Sequence, residues 1–144
     1  MTDTHCDSDF YAWANEQAAL LRGGRLAQAD IANIAQEIES LGKTEKRELV
    51  SRLTVLLLHM LKWRFQPGKR GSSWETSIRV QRNALVRHFR DNPSLAPHAP
   101  EALADAYVDA VLEAADETGL GKAIFPVVCP WQIDQVMDAE FWPG

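Results

Sequence analysis

Residues Thr44–Phe65 read TEKRELVSRLTVLLLHMLKWRF. Leu49, Leu53, Leu56, Leu57 and Met60 recur at three- and four-residue steps, which places them on one face of a helix. Val55, Leu58 and Leu61 carry apolar character around most of the remaining circumference. A helix that is apolar nearly all round is enclosed by neighbours on several sides. The stretch therefore predicts a central helix opened by Thr44 as N-cap, with Glu48, Arg52, His59 and Lys62 as its polar edge. The expected fold is all-α, a compact single-domain bundle of about five to six helices around this long one.

Working outward, helical spacing persists and two-residue alternation is almost absent. Asp9–Arg22 predicts a first helix, with Phe10, Trp13, Ala14, Gln17 and Leu21 on one face and Gly23-Gly24 as its stop. Asp30 is a natural N-cap for a second helix. Its stripe is Ile31, Ile34, Ala35, Ile38 and Leu41, and Gly42 ends or kinks it. After the central helix, the Pro and Gly of Gln66–Gly71 predict a loop. Ser72 with Glu75 has the spacing of a capping box. That box opens a helix to about Arg90, with Trp74, Ile78, Leu85 and Phe89 facing inward. Asp91-Asn92-Pro93 stops it. Pro97 and Pro100 bracket the start of a helix reaching Thr118, with Leu103, Ala106, Tyr107, Ala110, Val111 and Ala114 inward. Residues 120–144 are less regular: Pro130 opens a short helix through Asp138, and Phe141-Trp142 dock back on the body. Residues 1–8 are expected to be a flexible tail.

At 144 residues, one domain spanning 1–144 is the expectation. No apolar run approaches the roughly 20 residues of a membrane span; Leu53–Leu61 is short and broken by Thr54 and His59. Met1–Asp9 is acidic and lacks the apolar core of a signal peptide. Cys6 and Cys129 form no Cys-x-x-Cys and read as free thiols, so a cytoplasmic protein is expected.

Charge is divided along the chain. Lys43–Arg90 holds 12 Lys and Arg against 3 acids, a formal +9. The rest holds 3 bases against 17 acids, or −14, and the two together make the net −5. Separated charge is either matched across the fold or shown to a partner. Asp105, Asp109, Glu113 and Glu117 stand at four-residue steps, a spacing at which like charges repel. Arg79, Arg82, Arg87 and Arg90 of the preceding helix are the expected counter-charges. Nucleic-acid binding by segment 43–90 is a further reading, but no helix-turn-helix, zinc-finger or RNA-recognition signature accompanies it.

Two groups of residues offer chemistry. His59 is an ionisable ring in the most apolar helix; with Glu37 or Glu39 from a preceding helix and Lys62 it forms a candidate catalytic set, or else it is a structural histidine at a polar seam. Lys69, Arg70, Ser72 and Ser73 lead into a helix N-terminus, where N–H groups, hydroxyls and cations suit an anion. The spacing is not that of a P-loop, and a solvated loop with a helix cap is the alternative. His88 lies on another helix. No metal ligand spacing is present, and neither metal nor cofactor is expected.

Asn33-Ile34-Ala35-Gln36-Glu37-Ile38-Glu39-Ser40-Leu41-Gly42 resembles the hallmark of a bacterial family, domain of unknown function twenty-nine. Leu57–Trp63 with Gln66-Pro67 resembles its second motif. Ser73-Trp74 with Thr76, Ile78, Gln81 and Arg82 resembles its third, and Asp9–Trp13 its opening. Asn92–Leu95 and Cys129-Pro130-Trp131 extend the likeness to almost the whole chain. The resemblance implies an all-helical protein and no established activity. Gln36 stands where members often have Glu, and Met60 where Leu is commoner. The function expected is contact with a protein partner or a second copy, away from membranes. The alternatives are an enzyme or anion site near Glu37, His59, Lys62, Arg70 and Ser72, and nucleic-acid binding.

Overall fold

The computed structural model describes residues 8–144. Among them every regular element is helical: α1 Phe10–Arg22, α2 Ile31–Phe65, α3 Ser72–Asp91, α4 Ala99–Thr118 and α5 Ile133–Met137. Short 3-10 turns fill Leu26–Gln28, Pro67–Lys69, Pro93–His98 and Lys122–Ile124. The all-α expectation holds, with a long central helix. Cys6 and most of the expected N-terminal tail lie outside the described residues.

The two helices expected at Asp30–Leu41 and Thr44–Phe65 are one, the 35 residues of α2. Gly42 does not break it, because an interior glycine costs only about 1 kcal/mol against alanine. Thr44 caps nothing. Its hydroxyl donates to the Ser40 carbonyl at 3.0 Å, the back-bond of a threonine inside a helix. Chain packing divides into two compact units, the first ending at Thr44 and the second running Glu45–Gly144.

In the first unit, α1 opens on Asp9, whose carboxylate accepts from Ala12 N–H. Trp13, Gln17 and Leu20 are its buried residues. The expected face was rotated, since Phe10 and Leu21 are exposed. Gly24 takes a left-handed φ of 70° at the turn, where other residues are strained. Gln17 Oε1 accepts the Asp30 N–H at 2.7 Å, and Asp30 accepts from Trp13 Nε1 at 3.2 Å and Asn33 Nδ2 at 2.8 Å. These bonds fix the entry to α2. The stripe expected to be core is open instead: Ile31, Ile38 and Leu41 are more than half exposed.

In the second unit, Leu49, Leu53, Leu56, Leu57, Met60 and Leu61 are essentially inaccessible and form the core with Ile78, Leu85, Val136 and the inner face of α4. That α4 face is the one read from sequence. Ala106, Ala110 and Ala114 are fully buried, and small side chains at four-residue steps let a neighbouring backbone approach closely.

Two helix starts differ from expectation. Gly71 is the N-cap of α3, without a side-chain cap bond. Ser72 is thus already helical, one position too late for a capping box, and Glu75 pairs with Arg79 at 3.0 Å instead. α4 starts at Ala99, between Pro97 and Pro100 as expected, with Pro97 in the 3-10 turn before it. α5 opens at Gln132, not Pro130, with a reciprocal Gln132–Gln135 capping box.

The end of the chain docks as expected. Trp142 stacks on Trp63 with centroids 4.8 Å apart, and the guanidinium groups of Arg79 and Arg82 lie 5.3 and 5.7 Å from its ring. Arg82 is buried, and its Nε donates to the Val136 carbonyl at 2.8 Å. Burial lowers its pKa, while Asp138 acts in the opposite sense.

Candidate functional site

Of the residues singled out in the sequence, His59, Lys62 and Arg70 are already engaged. His59 Nδ1 donates to its own helix, at the Val55 carbonyl, 2.8 Å away. That bond fixes the tautomer and leaves Nε2 as the acceptor. Lys62 Nζ pairs with Glu117 at 2.9 Å and stands 5.7 Å from the Trp74 ring. Glu37 was expected on a preceding helix, facing back on His59. It stands on the same helix, in the first unit, whereas His59 and Lys62 belong to the second.

Arg70 is directed inward rather than to the loop. Its Nε donates to the Trp63 carbonyl at 2.6 Å and its Nη2 to the Gly144 carbonyl at 3.0 Å. Lys69, Ser72 and Ser73 are exposed. The expected anion cradle thus keeps its hydroxyls and Lys69, while the Arg70 guanidinium holds the backbone at Pro143 and Gly144.

Of the ladder on α4, only Glu117 meets a cation among the described residues, and it is Lys62 rather than an α3 arginine. Arg79 turns to Glu75, Arg90 to Asp91, and Arg82 to backbone carbonyls. Among the described residues Asp105, Asp109 and Glu113 have no ion pair. Beside them Val108 is 61% and Leu112 51% exposed. An apolar cleft of about 590 Å³ adjoins this helix face, bounded by Leu103, Tyr107, Val108, Val128 and Trp131. Val127, on its rim, is 98% exposed. Tyr107 closes the floor: its hydroxyl donates to the Pro126 carbonyl at 2.6 Å, and burial pushes its pKa up to about 12. Burial also raises the pKa of the Cys129 thiol, which donates to the Trp131 carbonyl at 3.3 Å.

A second site had no sequence signal. His88 is 7% exposed, and its Nε2 lies 2.8 Å from the Glu45 carbonyl. A carbonyl only accepts, so Nε2 carries the proton. Nδ1 faces the carboxylates of Glu48 at 3.0 Å and Glu45 at 3.7 Å. The other oxygen of Glu48 accepts from Arg52 at 3.1 Å. These groups line a polar cleft of about 410 Å³ with Arg87, Asp91 and Asn92. The three-residue step between Glu45 and Glu48 puts both on one helix face; that their partner is His88 follows only from packing α3 on α2.

No helix among the described residues is long and apolar enough to cross a membrane. No curated protein and no solved structure matches the chain. The family model that does match covers residues 6–142. The likeness noted in the hallmark, His59 and Trp74 segments therefore extends over nearly the whole sequence, and the chain belongs to the family described as Domain of unknown function DUF29.

Proposed function

We propose that the protein acts by binding a protein, and that a second copy of this chain is the occupant of its α4 face. The carrying observation is that α4 has six acids and no Lys or Arg, yet only Glu117 is paired within the described residues. The row of Asp105, Asp109 and Glu113 lies beside the exposed Val108 and Leu112. A partner that fits must bring cations and apolar side chains together. The outer face of α3 has that composition: Arg79, Arg87 and Arg90 are exposed with Val80 and Val86. At helical spacing these five fall within about a third of the circumference. Docking α3 of one copy on α4 of the next buries valines against the cleft and matches opposite charge. Such complementarity sets register and speeds encounter.

What favours this over an enzyme or anion site is that Lys62 and Arg70 already have internal partners. Against nucleic-acid binding stands the inward commitment of Arg70 and Arg82. A reducing, cytoplasmic setting is part of the same proposal and suits the free thiol of Cys129.

Light scattering against concentration tests the reading. Association is expected at about 50 mM salt and reduced at about 500 mM, where charge is screened within a few ångströms. Asp109→Arg and Arg87→Asp should each abolish it, and an equimolar mixture of the two variants should restore it. A monomer at every concentration, or loss of association through Ile38→Asp but not Asp109→Arg, would overturn the proposal.

A further inference from the structure

We infer that Glu45, Glu48 and His88 form a binding site for a divalent transition cation of the zinc class. The cleft is separate from the α4 face and the inference does not depend on self-association. The three residues present ligand atoms that all lie within 4.8 Å of one another. Around a tetrahedral zinc, donors at about 2.0–2.2 Å stand roughly 3.3–3.6 Å apart. The separations of Nδ1 from the Glu48 and Glu45 carboxylates, 3.0 and 3.7 Å, bracket that value.

Histidine orientation is the observation independent of the acids. His88 is more than nine-tenths buried, and its ring is not free to turn because Nε2–H is held by the Glu45 carbonyl. A ligating histidine characteristically donates its other N–H to a carbonyl or carboxylate, which fixes its tautomer. Nδ1 of the neutral ring then directs a buried lone pair at two carboxylate oxygens. Three electron-rich atoms facing one another are unfavourable unless a positive charge lies among them. That charge is either a second proton on the ring, giving an imidazolium paired with Glu48, or a cation. The mixture of one imidazole and two carboxylates suits zinc, manganese or iron better than the oxygen-only preference of magnesium and calcium. Asn92 Nδ2 donates to the His88 carbonyl at 3.1 Å, so the helix turn carrying the ring is also tied down. Arg52 is the opposing feature, since it holds the Glu48 oxygen turned away from His88.

Zinc chloride titrated into the full chain, followed by calorimetry and by the ring resonances of His88, is the decisive experiment. Saturable binding is expected, with the His88 ring signals perturbed and magnesium at the same concentration without effect. Glu48→Gln and Glu45→Gln should each weaken zinc at least tenfold, with helicity by circular dichroism reporting that the fold survives. Arg52→Gln should tighten zinc severalfold, because it removes a competing cation; a merely structural ion pair has no reason to do so. The inference is overturned if millimolar zinc leaves the His88 ring unperturbed, if magnesium matches zinc, or if Glu48→Gln binds zinc as well as the parent chain. The first outcome would identify the cluster as an imidazolium held by Glu48.

Discussion

α3 and α4 are both 20-residue helices, yet only α3 carries a charged side chain into the core. One arginine of α3 enters the molecule and the others stay at its surface: Arg82 reaches the carbonyls of Gln135 and Val136, while Arg79, Arg87 and Arg90 are exposed, Arg79 lying over Trp142 and beside Glu75. The acids of α4 are all exposed, and among the described residues Glu117 alone is ion-paired. Reach explains the contrast. An arginine stem packs on apolar surface while its planar head finds acceptors several ångströms away. A short carboxylate on an outer helix face accepts only what is brought to it. Arg82 thus places one charge of α3 inside the fold, whereas every acid of α4 stays at the surface.

The largest effect should come from removing the buried arginine. Arg82→Ala strands two carbonyls and strips one support from Trp142, a loss of about 3 kcal/mol in denaturant unfolding. The exposed Arg87→Ala should stay within about 0.5 kcal/mol. Equal losses at the two positions would erase the distinction between inward and outward arginines. Next comes the inner face of α4. Ala110 has no accessible surface, so Ala110→Leu overpacks the core and should cost about 1–3 kcal/mol.

Tyr107 sharpens the comparison with a neutral group. Its folded pKa, about 12, lies above the ordinary 10.0, so the folded state holds the phenol proton more tightly than the unfolded chain. The stabilisation is complete below pH 10 and is lost as pH rises towards 12. Tyr107→Phe should remove that part of the alkaline sensitivity and, through the lost bond to Pro126, cost about 1 kcal/mol at neutral pH. A parent chain and variant with identical stability profiles from pH 9 to 12 would contradict the buried hydroxyl. The smallest effect is on the ladder itself. Asp109→Asn should stabilise the monomer by about 0.3 kcal/mol at low salt and by nothing at high salt. Glu117→Gln should destabilise slightly, since Lys62 loses its partner. The same sign for both would mean that the ladder behaves as one row.

Legibility followed the range of the interactions. The inner face of α4 and the buried leucines of α2 were readable because periodicity is local and burial follows it. The fusion of two expected helices into α2 was misread because Gly42 and Thr44 are ambiguous signals: each ends helices or sits inside them, according to what surrounds it. Ser72 was misplaced by one residue, which was enough to dissolve its capping box. The exposure of Ile38 and Leu41 could not be read, as periodicity identifies an apolar face but not whether anything covers it. The His88 cluster joins groups 43 residues apart, and Arg82 meets its acceptor across 54. No window along the chain contains either, so charge counting gave Arg82 an acidic partner where the structure gives it backbone carbonyls.

The span between Arg82 and Val136 also has a meaning in time. A ribosome adds about 5–20 residues per second, so the acceptor of this guanidinium is synthesised roughly 3–10 s after α3 itself. During that interval α3 and the apolar α2 exist without α5 and without Trp142. A chain caught there offers valines, an unanswered arginine and an open leucine face at once. Closure of the core around Arg82 therefore waits on α5 and Trp142.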